Sequence, residues 1–265
     1  MVCAEAASHT FLITADGSPT LAHPHGEAMH NDQGALRETL HVYGPLADAL
    51  ERGRVEPTAV IVGLGVGYIE ALVAARAPAL ARLVTFEADA LLKRAFLTSL
   101  LLAPVSQPTR REIPSGTSLH FDDDFDALVD LMRTVRSLVA LAHGIEPESL
   151  RARLFRWHAD GRLDVRGALD EGVLGSAPHG DALDTAQSNH LGYGGLFFDA
   201  YSAKSSAELW TPAILDGLLS HAASRAGVAT YAARGSLNRA LAARGFRREA
   251  SPGFGGKREC TLAFR

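Results

Sequence analysis

Thr58-Ala59-Val60-Ile61-Val62-Gly63 is an unbroken apolar run, closed by Pro57 on one side and by glycines on the other. A strand with one wet face alternates apolar and polar residues. A run without polar interruption marks a strand buried on both faces, which requires helices above and below a parallel sheet. The chain supplies them. Ile69–Arg76 continues as a helix, Arg82-Leu83-Val84-Thr85-Phe86-Glu87 as a short strand ending in an acid, and Ala90–Leu102 as another helix. From Val60 onward strands and helices alternate, which predicts an α/β fold with a mostly parallel, doubly covered sheet.

The flanking segments complete this layout. Phe11–Thr14 and Thr20–Ala22, around the turn Asp16-Gly17-Ser18-Pro19, predict a small hairpin. Gly34–Leu50 predicts a helix, with Asn31 or Asp32 as candidate N-caps. These two elements form an N-terminal extension over residues 1–50, and residues 51–265 form the main domain. Asp126–His143 carries Leu128, Leu131, Val135, Leu138 and Leu141 at helical spacing, and Leu154–Trp157 reads as a strand. Glu171–Gly195 reads as a loop with one helical turn. Leu196-Phe197-Phe198 is a strand, Thr211–Ala223 a helix with Pro212 in its first turn, Gly227–Tyr231 a strand and Ser236–Arg244 a helix. Phe246–Ala250 and Cys260–Phe264 read as a closing antiparallel pair.

Two constellations carry chemistry. Gly63-Leu64-Gly65-Val66-Gly67-Tyr68 joins the buried strand to a helix, where glycines permit a tight turn and close approach of a ligand to the backbone. Glu87 ends the next strand, where an acid grips the hydroxyls of a ribose. The third glycine of the dinucleotide fingerprint is missing, so the loop suits a nucleotide without a pyrophosphate, such as S-adenosylmethionine; no Walker A loop exists either. The second constellation is Asp199, which follows Phe198 at the carboxyl end of a strand, where open α/β sheets bind ligands. There a carboxylate can take up or orient the proton of an amine during methyl transfer, while alignment supplies much of the rate. Tyr201 is placed to line the same pocket, and Lys204 is either a substrate contact or a solvated loop residue.

The remaining composition narrows the chemistry. Only two cysteines, Cys3 and Cys260, are present and no Cys/His cluster exists, so no metal is expected and a reducing cytoplasm fits. No signal peptide is evident, and the apolar stretch Leu91–Leu102 is too short to cross a membrane. The net charge of −4 gives no global attraction to nucleic acid, so such binding needs a local basic patch. The stretch Pro252–Glu259, with Arg244, Arg247 and Arg248, is the clearest candidate; it reads equally as a charged turn between edge strands.

Together these residues resemble a known family. Asp199-Ala-Tyr-Ser-Ala-Lys-Ser-Ser-Ala-Glu-Leu-Trp-Thr-Pro212 is similar to the D-[AG]-F-[AS]-P-x-x-N-P-[DE]-[ML]-W motif of the methyltransferase domain of MnmC. Ala229-Thr230-Tyr231 with Gly235 and Arg239–Phe246, then Pro252-Gly253-Phe254-Gly255-Gly256-Lys257-Arg258-Glu259, resemble its later motifs. Glu27-Ala28-Met29-His30 with Gly34-Ala35 resembles the opening segment of stand-alone relatives. The family's loop prolines are replaced here by Ala203 and Ala207, and its asparagine by Ser206.

The resemblance implies a class I methyltransferase, Rossmann-like fold that uses S-adenosylmethionine to methylate the aminomethyl group of a tRNA wobble uridine. Asp199 takes the position of the family's catalytic carboxylate, with Tyr201 beside it. Met29, His30, Gly63, Gly65, Gly67, Glu87 and Ala88 fall on the cofactor side; Lys204, Lys257 and Arg258 fall on the substrate side. The acid meeting adenine is Asp160 or Asp181; the apolar run before Asp160 favours it. The family's MnmC also carries a flavin-dependent oxidase domain; because the sequence ends right after Lys257-Arg258-Glu259, neither that domain nor its flavin is expected. A small-molecule methyltransferase, which the acidic net charge favours, and a non-catalytic cofactor-binding module are the alternatives.

Overall fold

A computed structural model describes residues 9–23, 26–103, 118–119, 124–174 and 192–265. In chain order the strands and helices are β1 (His9–Ile13), β2 (Pro19–Ala22), α1 (Ala35–Glu51), β3 (Thr58–Val62), α2 (Tyr68–Arg76), β4 (Arg82–Phe86), α3 (Ala90–Leu101), β5 (Ser118–Leu119), α4 (Phe125–Ala142) and α5 (Pro147–Ala159). They continue as β6 (Leu163–Arg166), α6 (Glu171–Leu174), β7 (Tyr193–Phe198), α7 (Pro212–Ser220), β8 (Ala222–Thr230), α8 (Gly235–Ala243), β9 (Arg247–Glu249) and β10 (Thr261–Phe264).

The main sheet has the order β6-β4-β3-β7-β8-β10-β9. β6, β4, β3, β7 and β8 run parallel, and β10 inserts antiparallel between β8 and β9. β3 lies inside the sheet between β4 and β7, and Ala59–Val62 are all buried, as an unbroken apolar run demands. Its side chains alternate between two cores. Ala59 and Ile61 join the α1, α2, α4 and α5 side; Val60 and Val62 join the α7 and α8 side. α1 belongs to the first core through Val42, Tyr43, Leu46 and Leu50.

β1, β2 and β5 form a separate small sheet. Its hairpin turn caps α1. Thr14 Oγ1 accepts from the Ala35 amide, Ser18 Oγ from Leu36 and Asp16 Oδ2 from Arg37. Neither Asn31 nor Asp32 caps this helix: Gly34 is its N-cap residue, and Asn31 Oδ1 instead accepts from Gln33. Side-chain caps contribute about 1 kcal/mol each, so the hairpin is anchored to α1 by its turn.

One element differs in kind from its sequence reading. Leu154–Trp157 lies within α5, not in a strand. Leu150, Leu154 and Trp157 are its buried residues, at the i, i+4, i+7 spacing of a helix face, and Pro147 opens it. The strand that follows is β6, a four-residue edge with mixed composition.

Candidate active site

The carboxyl ends of β3, β4 and β7 open into one cavity of about 490 Å³. That size accommodates a nucleoside with an amino-acid tail. The glycine loop forms its floor. Gly63, Gly65 and Gly67 all have positive φ, at 95°, 51° and 88°. At Gly63 the demand is also spatial: a Cβ there would lie 2.6 Å from the carbonyl oxygen of Asp199. Gly63 and Gly65 line the cavity, whereas Gly67 sits at the start of α2 against Phe96.

Glu87 follows β4 and is held by the loop it faces. Its Oε2 accepts from the Leu64 and Gly65 amides, both at 3.1 Å, and its Oε1 from the Asp89 amide at 2.8 Å. A carboxylate has about four lone-pair sites. Three are taken, so Glu87 retains about one open acceptor site, instead of the two that a vicinal diol would use. Burial raises its pKa, and the amide bonds oppose that rise. Ala88 lines the cavity next to it.

Asp199 follows β7 on the other side of β3. Burial pushes its pKa up to about 8; the hydrogen bond from Tyr43 and the Lys257 charge oppose the shift, and Glu38 adds to it. Tyr43 donates its hydroxyl hydrogen to Asp199 Oδ1. Tyr201 also lines the cavity, and its buried hydroxyl has no hydrogen-bond partner among the described residues. Tyr231 closes this side, donating to the Ala200 carbonyl at 2.9 Å, with Lys257 Nζ 4.4 Å from the centre of its ring. Trp210 supports the loop from below: its indole donates to the Tyr201 carbonyl at 2.7 Å, and its ring packs edge-on against Phe198.

The segment 26–34 and the C-terminal loop supply the remaining walls. Met29 and His30 line the cavity. His30 shares a 2.7 Å bond with Thr20 and packs on Tyr68; burial lowers its pKa to about 4, so the ring is neutral. Glu27 ties this segment to the loop after Asp199, accepting from the Ser202 amide at 3.1 Å, from the Ser202 hydroxyl at 3.0 Å and from the Ser205 hydroxyl. Burial raises its pKa, but these bonds outweigh burial and leave it below the ordinary value. Glu38, buried on α1, accepts from the Asn31 amide at 2.6 Å and lies 3.4 Å from Lys257 Nζ. At Gly255 a Cβ would meet the Asn31 side chain at 2.2 Å, so the two walls touch there.

Sequence reasoning gave no site role to Glu38 and Tyr43, and none to Glu27 and Tyr231 beyond their place in the family motifs. The helical residues carried no distinguishing signal, since Glu38 and Tyr43 read as ordinary parts of an amphipathic helix. Two expectations also need correction or stand apart. Asp160 caps the C-terminal end of α5 and lies before β6, at the amino end of the parallel strands, beside Arg153, Arg156 and Arg162. It is outside the cavity because the apolar run before it is helical. Asp181 falls outside the described residues. Lys204 and Arg258 are exposed and do not line the cavity; Lys257 does.

The profile of a family described as S-adenosyl-L-methionine-dependent methyltransferases matches residues 178–265. The bifunctional tRNA 5-methylaminomethyl-2-thiouridine biosynthesis protein MnmC of Burkholderia thailandensis is 30% identical over 251 residues, 94% of this chain and 34% of that protein. The MnmC of Hahella chejuensis is 34% identical over 94 residues, 36% of this chain and 15% of that one. This chain is an MnmC-like, S-adenosylmethionine-dependent methyltransferase. It matches a third or less of the length of several of these relatives and about a third of the Burkholderia protein. Among solved structures, MNMC2 from Aquifex aeolicus superposes with a TM-score of 0.60 at 19% identity, covering 98% of this chain and 71% of that one. A spermidine synthase from Thermotoga maritima gives 0.51 at 9% identity, covering 98% and 69%. Both likenesses confirm the class I methyltransferase fold.

The site fits its cofactor. Glu27, Glu38, Glu87, Asp89, Asp199 and Glu208 line the cavity against Lys257. A sulfonium is a cation, and an acid-rich pocket with one open lone pair on Glu87 and an unpartnered Tyr201 hydroxyl suits it. Among the described residues, no cluster of side chains could hold a metal ion, and no helix is long and apolar enough to cross a membrane.

Proposed function

We propose that this chain methylates the aminomethyl nitrogen of a tRNA wobble uridine, acting in the cytoplasm. The observation that carries the reading is Asp199, a carboxylate deep in an acid-rich cavity whose pKa of about 8 suits proton exchange with an amine near neutral pH. S-adenosylmethionine supplies the electrophilic methyl group. Gly63, Gly65, Met29, His30, Glu87 and Ala88 hold the cofactor. Asp199 receives a proton from the acceptor ammonium and frees the nitrogen lone pair, with Tyr201 bordering the acceptor. The hairpin and segment 26–34 form the cover.

The charge layout supports a polyanionic substrate. Cations stand outside the acidic interior: Lys204, Arg234 and Arg258 are exposed around it, none in an ion pair among the described residues. Arg234 lies over the Trp210 ring at 5.3 Å, directly beyond β8. Such a rim meets phosphates while the interior takes the amine.

The test is incubation with labelled S-adenosylmethionine and tRNA that carries the unmethylated aminomethyl group, followed by nucleoside mass spectrometry. The expected result is one added methyl on that nitrogen. Transfer to free small amines with none to tRNA overturns the reading and favours a small-molecule enzyme.

A further inference from the structure

Tyr43 lies on α1, 156 residues from Asp199 in the chain, and its ring is buried against Phe197 at a centroid distance of 6.2 Å. Its hydroxyl reaches past the core to Asp199 Oδ1. The bond has a fixed direction. Burial, with the adjoining carboxylate, pushes the Tyr43 pKa well above its ordinary value, so the hydroxyl keeps its hydrogen and donates. Asp199 is held from behind as well, since its amide donates to the Val62 carbonyl at 2.9 Å. Oδ2 accepts no hydrogen bond among the described residues and belongs to a side chain that lines the cavity.

We propose that Tyr43 is the positioning residue of the transfer step: it occupies Oδ1 of Asp199 and leaves Oδ2 as the oxygen presented to the acceptor nitrogen. One N–H proton of the acceptor ammonium passes to Oδ2, and its bonding electrons remain on nitrogen as the attacking lone pair; that pair would form the N–C bond to the methyl group as the methyl–sulfur bond breaks, its electrons leaving on the neutral thioether S-adenosylhomocysteine. The carboxyl is neutral afterwards and returns the proton to solvent before the next transfer. A carboxylate free to rotate would offer either oxygen and lose the alignment on which transfer depends.

Several groups face Asp199 besides Tyr43. They are Glu38 from α1, Lys257 from the C-terminal loop, Tyr231 at the end of β8, Tyr201 from its own loop and Glu70 from α2. Tyr43 and Lys257 favour the carboxylate, and Glu38 disfavours it. Removing the Tyr43 hydroxyl therefore moves Asp199 further up.

The proposal rests on Asp199 being the proton acceptor, so its test separates the two. In Tyr43→Phe the ring and its packing remain. The expected result is unchanged S-adenosylmethionine affinity by calorimetry and a pH–rate profile whose acid limb shifts to higher pH. Transfer at pH 7 falls about tenfold, recovering partly at pH 9. Carbon-13 titration of the Asp199 carboxyl reads the same shift without any substrate. A uniform loss of rate with an unmoved limb and an unmoved titration overturns the positioning role. If wild-type protein methylates no tRNA, the tRNA reading fails, but the carboxyl titration still decides the role of Tyr43.

Discussion

Glu87 and Asp199 stand at equivalent places, each just past the carboxyl end of a parallel strand, on either side of β3. Their surroundings differ. Glu87 accepts three backbone amides, two of them from the glycine loop. Asp199 accepts one side-chain hydroxyl and is otherwise desolvated. Amide donors favour a charged carboxylate and fix it in place; burial with few donors brings a carboxyl to the edge of protonation. One half of the cavity is thus built to hold, and the other to exchange a proton.

The sharpest way to break this contrast is Asp199→Asn. Transfer should fall about 10²–10⁴-fold, with cofactor affinity by calorimetry little changed. An equal loss of both would make Asp199 a cofactor ligand like Glu87.

Glu70 separates burial from function. It is fully buried on α2, accepts from Thr85 Oγ1 at 3.0 Å, has an Oε2 with no partner among the described residues and does not line the cavity. Burial raises its pKa to about 8, as for Asp199. Both acids are raised above their unfolded values of 4.5 and 3.8. The folded chain therefore binds more protons than the unfolded one between those values and about pH 8, and stability is lost as pH rises through that window. Denaturant midpoints should be lower at pH 9 than at pH 5.5. Glu70→Gln should recover stability on the order of a few kcal/mol at pH 9; no recovery would mean that burial leaves the Glu70 pKa near its unfolded value.

On the opposite side, Glu87→Ala should raise the dissociation constant for S-adenosylmethionine about 10–100-fold, with most of the rate retained at saturating cofactor. A collapse in rate at saturation would erase the distinction between the two acids. The smallest effect belongs to the rim. Replacing Arg234 and Arg258 by Ala should reduce the slope of log K against log salt for tRNA by roughly one per cation. An unchanged slope would remove these residues from the RNA surface.

The sheet was legible because β3, β4 and β7 are short apolar runs cut off by glycine or acid, and helices follow the first two directly. Asp199 and the Gly63–Gly67 loop were legible for the same reason: strand ends are where polarity changes abruptly. Asp160 misled because Leu154, Phe155 and Trp157 around a single Arg156 do not distinguish a buried strand from a helix face; the i, i+4, i+7 pattern from Leu150 was the better guide. β6 was missed because an edge strand reading Leu-Asp-Val-Arg has little to mark it. Tyr43, Glu38 and Glu27 could not be assigned, because their roles depend on partners 156, 219 and 175 positions away.

Glu38 sets when the site can first exist. It joins a wall made by residues 27–31 to one made by Lys257, while β10, which follows, is the strand that anchors that loop to β8. During synthesis on a ribosome the glycine loop and both strand-end acids emerge long before the last wall does. A nascent chain therefore cannot complete the walls of this cavity until residue 257 has left the exit tunnel.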